Sequence, residues 1–134
     1  MRYLSVCSGI EAASVAWHGL DWEPLAFCEV DKFPSAVLAT RFPHVRNLGD
    51  FTKVQQGDVG KIDILVGGTP CQSWSVAGKR LGRDDLRGEL TFEFIRLAER
   101  LKPRYVVWEN VPGIVSDNEG DTIADVASRL VLRP

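Results

Sequence analysis

The sequence predicts an α/β fold built on a parallel sheet of about five strands. Three observations carry this. Short apolar runs alternate with stretches of helical periodicity. Each run ends in a turn of small and polar residues that leads into a helix and not into a tight hairpin. The length, 134 residues, suits one domain able to bury its own core.

The elements follow in order. Arg2 to Cys7 is apolar and ends at Ser8-Gly9, a first strand. Glu11 to His18 is alanine-rich, and alanine loses least on entering a helix. Pro24 to Glu29 is a second strand. Phe33, Ala36, Val37 and Thr40 then recur at helical spacing up to Phe42, where Pro43 cannot continue the ladder. Val45 to Leu48 is a weak third strand leading to Gly49-Asp50. Ile62 to Val66 is a fourth, dense in branched side chains, and Gly67-Gly68-Thr69-Pro70 is expected to break it. A polar loop runs to Gly88. Leu90, Phe94, Leu97, Ala98 and Leu101 mark an amphipathic helix. Tyr105 to Trp108 is a fifth strand, stopped by Glu109-Asn110-Val111-Pro112-Gly113, and Ile123, Val126, Ala127, Leu130 and Val131 mark a last helix.

Composition excludes several classes. The formal charge of −2, from 16 basic and 18 acidic residues, is not that of a chain held to nucleic acid by bulk charge. Locally, Lys79, Arg80, Arg83 and Arg87 outnumber Asp84 and Asp85 between Gln72 and Gly88. Cys7, Cys28 and Cys71 are odd in number and widely spaced, with no CxxC pair, which argues against a disulfide framework and against a metal site. No apolar run approaches the ~20 residues of a membrane span. The N-terminus lacks the shape of a signal peptide, and the chain reads as cytoplasmic.

In a parallel sheet, ligands bind beyond the carboxyl ends of the strands. Those ends carry Ser8-Gly9-Ile10-Glu11, Glu29, Asp50, Pro70-Cys71-Gln72 and Glu109-Asn110. The first three describe a site for an adenosine-containing cofactor. A tight turn into a helix start faces backbone N–H groups to a ligand, an acid about 20 residues on is placed for a ribose, and an aspartate can accept from an adenine amino group. The last two pair a cysteine with a carboxyl group, which fits attack on an electron-poor ring held at a ring nitrogen. Blander readings stand beside these. Cys7 and Cys28 lie in apolar runs and read as inert, Asp50 fits an ordinary turn, Glu109 fits a solvated strand end, and Trp74 is either loop packing or a stacking surface.

The same residues resemble the DNA (cytosine-5) methyltransferase family, in its phage-like branch. YLSVCSGIEAA, FCEVD, LGDFTKV, GGTPCQSWSVAGKR, GRDDLRGELTFEFIRL and VVWENVPGI match its motifs in order, with Glu109 38 positions after Cys71. The resemblance implies a Rossmann-like fold dependent on S-adenosylmethionine and cut short before the last strands, so residues 1–134 are a partial catalytic domain. It implies that Cys71 attacks cytosine carbon-6 while Glu109 holds the ring and Asn110 braces the site. Glu29 would bind the cofactor ribose and Asp50 the adenine, with Cys7, Ser8, Gly9, Ile10, Val30, Phe51, Pro70 and Leu90 completing the pocket. Gln72, Ser75, Lys79 and Arg87 would face DNA. The match fades after Ser116, and the family's Gln-x-Arg-x-Arg motif and target-recognition region are absent from this sequence. Two functions follow as alternatives: the catalytic part of a DNA methyltransferase of restriction-modification type, or an inactive remnant or cofactor-binding fragment that needs a second chain to act. A generic nucleotide-binding domain leaves the Cys71 and Glu109 motifs unexplained together.

Overall fold

The computed structural model describes residues 1–70, 86–116 and 120–131. Its centre is a five-stranded sheet in the order β3-β2-β1-β4-β5, with every neighbouring pair parallel. The strands are β1 (Arg2–Val6), β2 (Glu23–Cys28), β3 (Arg46–Asn47), β4 (Ile64–Gly68) and β5 (Tyr105–Glu109). The helices are α1 (Ala12–Ala16), α2 (Lys32–Arg41), α3 (Gln56–Val59), α4 (Leu86–Leu101), α5 (Gly113–Ser116) and α6 (Asp121–Val131), with 3-10 turns at His18–Leu20 and Phe51–Lys53. The chain starts at the middle of the sheet, winds outward through β2 to β3, then crosses back to place β4 and β5 on the other side of β1. The strand order therefore reverses between β1 and β4, the place where open α/β sheets bind ligands.

Alternation along the strands sorts side chains to two faces. Leu4, Val6, Ala26, Cys28 and Leu65 join Phe94, Leu97, Ala98 and Leu101 of α4, with Phe51, Val54, Val59 and Ile62, in one continuous core. On the other face, Tyr3 meets Trp17 edge-on at 5.1 Å and Phe27 meets Phe42 edge-on at 5.3 Å. Cover is uneven at the β5 edge. Val106 and Trp108 pack against the core, while Tyr105 and Val107 remain 45% and 44% exposed.

Three boundaries differ most from expectation. Gly67 and Gly68 lie inside β4, where the sequence suggested a break. They pair with Val6 and Trp108, and with Glu109, in registers that leave no room for a side chain. A Cβ on Gly67 would lie 2.6 Å from Val6 Cγ2 and 2.7 Å from the Val6 carbonyl oxygen. Helix α4 also starts at Leu86, so Arg87 and Gly88 belong to it and not to the preceding loop. The alanine-rich helix is shorter than expected, giving way after Ala16 to the 3-10 turn and a left-handed Asp21.

Candidate functional site

The parallel sheet brings all five carboxyl ends to one edge. After β1 the backbone turns sharply: Cys7, Gly9 and Glu11 have φ of 49°, 55° and 68°. Left-handed geometry costs a non-glycine residue on the order of 1–3 kcal/mol, so the surroundings must hold it. They do so through β2. Ser8 N–H donates to the Cys28 carbonyl at 3.2 Å, and Ser8 Oγ donates to the Ser5 carbonyl at 2.9 Å while accepting from Cys28 N–H at 3.2 Å.

The turn aims Gly9 N–H at Glu29. That carboxylate accepts from Gly9 N at 2.8 Å through Oε2 and from Asp31 N at 2.8 Å through Oε1. Each oxygen keeps a further acceptor position, which is what a pair of ribose hydroxyls needs. Glu29 is 9% exposed, and Val30 and Ile10 flank it at 70% and 53%. A small-residue turn, a buried pre-oriented carboxylate and two exposed apolar side chains are a donor set suited to an adenosine-containing cofactor.

Asp50 caps the 3-10 turn after β3. Its Oδ1 accepts from Thr52 N and Oγ1, and its Oδ2 pairs with Lys53 at 3.3 Å. The Thr52 hydroxyl, the first cause, holds its carboxyl below the ordinary range, so it stays an acceptor. Phe51 is a core residue, Leu90 is half-buried against that core, and Pro70 is exposed. Burial, then the charge of Glu29, pushes the Cys7 thiol up to about 11. Burial pushes Cys28 up to about 12, with smaller contributions from Cys7 and Asp50. Neither thiol is a nucleophile near neutral pH.

At the β4 and β5 ends, the Thr69 hydroxyl is a junction. It accepts from Trp108 Nε1 at 3.1 Å and Asn110 Nδ2 at 3.4 Å, and shares a hydrogen with Thr91 Oγ1 at 2.9 Å. Asn110 Oδ1 accepts from Val111 N at 2.8 Å. The Glu109 carboxylate lies over Gly68, its Oε2 2.6 Å from where a Cβ there would stand. Glycine at this position is what makes room for the acid beside the switch point. Cys71, Gln72, Ser75 and Lys79 lie outside the described residues, as does the side chain of Arg87 in the first turn of α4.

Thr69 and Glu11 were not singled out from sequence as structural supports. Glu11 caps α1: its Oε1 accepts from Ser14 N at 3.1 Å and Ser14 Oγ at 3.0 Å, and the Tyr3 hydroxyl meets Ser14 Oγ at 2.5 Å. The residue is 1% exposed and its Oε2 has no hydrogen-bond partner among the described residues. Burial raises its pKa against the opposing pull of Ser5 and Ser14. The one hint in the sequence is an acid four residues after an apolar strand, inside an otherwise small-residue turn. Among the described residues there is no group of His, Cys, Asp and Glu fit to hold a metal, and no helix long and apolar enough to cross a membrane.

The chain matches the family model described as C-5 cytosine-specific DNA methylase over residues 1–131. It is 53% identical over 127 residues to a protein of Escherichia phage P1 named DNA N-6-adenine-methyltransferase, covering 85% of this chain and 17% of that protein. It is 39% identical over 127 residues to orphan methyltransferase M.Rho11sI of Bacillus phage rho11s, covering 92% and 25%. It is 35% identical over 133 residues to type II methyltransferase M1.ScrFI of Lactococcus lactis subsp. cremoris, covering 96% and 33%. The chain thus spans between 17% and 33% of the length of these relatives. Among solved structures, a DNA modification methyltransferase encoded within an E. coli prophage superposes with a TM-score of 0.79 at 24% identity, over 97% of this chain and 37% of that one. Spodoptera frugiperda DNMT2 superposes at 0.73 and 24% identity, over 96% and 41%. These likenesses show a shared fold.

Proposed function

We propose, for a chain that belongs to the C-5 cytosine-specific DNA methylase family, that it is the cofactor- and nucleophile-bearing part of an enzyme that methylates carbon-5 of cytosine in DNA. The observation that carries this reading is the pairing of two carboxyl groups across the switch point. Glu29 is pre-oriented by Gly9 and Asp31 on one side, and Glu109 lies over Gly68 on the other. Cys71 stands two positions beyond the Thr69 junction.

Glu29 takes the ribose hydroxyls, Asp50 accepts from the adenine amino group, and Ile10 and Val30 supply apolar contact. Cys7, Ser8, Gly9, Phe51, Pro70 and Leu90 form or support the walls. S-adenosylmethionine bound there supplies an electrophilic methyl group. The cytosine leaves the base stack, because its reacting atoms are closed off within it. The Cys71 thiolate bonds to carbon-6, and the electron pair of the 5,6 double bond moves into the ring, where Glu109 holds N3. Carbon-5 would then be the nucleophile toward the sulfonium methyl, leaving S-adenosylhomocysteine. Loss of the carbon-5 proton to water would re-form the double bond and expel the Cys71 thiolate. Asn110 braces the turn through Thr69, and Gln72, Ser75, Lys79 and Arg87 meet the DNA backbone.

The phage P1 relative is named for adenine N-6. Methylating an exocyclic amine needs no thiol adduct, so Pro70-Cys71-Gln72 with Glu109-Asn110-Val111 in one chain favours cytosine carbon-5. A second reading is favoured by β5: among the described residues its outer edge is unpaired, and Tyr105 and Val107 beside it are exposed. On that reading the chain binds cofactor but methylates only when a second polypeptide completes the sheet.

Two measurements test these readings. Calorimetry with S-adenosylmethionine should give binding that weakens in Glu29→Ala. Covalent trapping on DNA containing 5-fluorocytosine should be lost in Cys71→Ser. Trapping by the chain alone sinks the second reading. Trapping only when the C-terminal part of a full-length relative is added supports it. No trapping in either mixture rules out the cytosine reading.

A further inference from the structure

We infer that Asn47 is a positioning residue for the cofactor site, acting as an extra rung of the sheet that fixes the Glu29 and Asp50 ends relative to each other. The inference rests on the reading of Glu29 and Asp50 as cofactor ligands.

Strand β3 is only two residues long, pairing Ala26 with Arg46 and Phe27 with Asn47. The ladder therefore stops before it reaches Glu29. The Asn47 side chain takes over where the backbone leaves off. Its Oδ1 accepts from Glu29 N–H at 3.0 Å, and its Nδ2 donates to the Glu29 carbonyl at 3.0 Å. A primary amide carries the same donor and acceptor as a peptide unit, so it serves both main-chain groups of Glu29 as a neighbouring strand would.

The same amide has capacity left, and uses it on two other elements. Oδ1 accepts a second bond from Gly49 N–H at 3.0 Å, and Nδ2 donates a second to Ser35 Oγ of α2 at 3.1 Å. Ser35 Oγ in turn donates to the Glu29 carbonyl at 3.2 Å. Both acceptor positions and both hydrogens of the amide are engaged. Only one orientation of it satisfies this set, because the flipped amide would turn N–H groups toward two N–H donors.

One side chain thus joins the end of β2, the first turns of α2 and the Gly49 turn that delivers Asp50. Gly49 has φ of 73°, so the chain direction into Asp50 is set at this point. The ribose and adenine carboxylates sit on separate elements joined here by a two-residue strand. Their spacing has to match a rigid nucleoside, and the amide supplies the tie that the short strand does not.

The test is calorimetry with S-adenosylmethionine and S-adenosylhomocysteine on wild type, Asn47→Ala, Asn47→Asp, Glu29→Ala and the Glu29→Ala, Asn47→Ala double variant, each well below its melting temperature. Asn47→Ala is expected to weaken both ligands about tenfold, and by the same factor, since they share the adenosine part. In the Glu29→Ala background the further loss should shrink to about twofold, because the two residues act through one contact. Asn47→Asp keeps both accepted bonds and loses both donated ones. It is expected to stay folded, with an intermediate loss, and serves where the alanine variant does not fold. Unchanged affinity in both Asn47 variants, or a full tenfold loss retained without Glu29, overturns the inference. If wild type binds and Glu29→Ala weakens it while Asn47 variants do not, only the inference fails. If wild type binds neither ligand, the cofactor reading falls with it.

Discussion

The two sides of the switch point are built differently. On the side proposed for the cofactor, Glu29 has its carboxylate and both main-chain groups hydrogen-bonded, and the turn that meets it is stitched to β2. On the side proposed for catalysis, Glu109 stands at the end of an edge strand whose alternate residues are open to solvent. One half is held by its own contacts. The other has a firm inner layer, the Thr69 junction, but an outer face on which Tyr105, with the Arg104 guanidinium over its ring, and Val107 stay partly open to solvent. The difference fits the separate tasks proposed for the two halves: hydrogen bonds within residues 1–50 orient Glu29, whereas Glu109 relies on a joint between β1, β4 and β5.

The largest way to break this contrast is at the joint itself. Gly67→Ala should destabilise the fold by about 1–3 kcal/mol, since its Cβ would press on Val6 backbone, seen as a lower urea midpoint at unchanged slope. Gly68→Ala should cost less, because its Cβ meets the movable end of Glu109, yet it should impair trapping on 5-fluorocytosine DNA. Equal stability losses in the two variants would erase the distinction between joint and site.

A smaller effect probes the cofactor side. Burial raises the pKa of Glu11 above its ordinary 4.5, so the folded state favours the protonated form. That contribution is present below the ordinary value and is lost as pH rises through the raised one. Glu11→Gln stays neutral, so its melting temperature should gain on that of the wild type as pH climbs above 4.5. Parallel melting curves across that range would mean that burial does not hold the carboxyl neutral against the pull of Ser5 and Ser14. The smallest effect sharpens the picture of the open edge. Val107→Thr and Tyr105→Thr should each change stability by less than about 0.5 kcal/mol in urea unfolding. A cost of several times that would show these side chains to be packed in the chain by itself.

Much of this was readable from sequence because a parallel sheet converts chain order into place. Once strands and helices alternate, Glu29, Asp50 and Glu109 must share an edge whatever their side chains do. What escaped has a common cause. The bonds of Asn47 to Glu29, and of Asn110 to Thr69, join residues 18 and 41 positions apart, and no local pattern encodes them. Gly67 and Gly68 look like a strand break because glycine usually is one, and only the nearness of Val6 and Glu109 reveals why they stay in the strand. Helix α3 and the turn at Phe51–Lys53 are too short for any periodicity to show.

The central place of β1 also has a meaning in time. A ribosome adding roughly 5–20 residues per second delivers Glu29, Asn47 and Asp50 several seconds before Glu109. From the synthesis of β2 until Gly68 is added, β1 has a neighbour on one flank only, since its other partner, β4, has yet to be made. That raw strand edge is where a holdase chaperone or a stray β-strand would find the nascent chain.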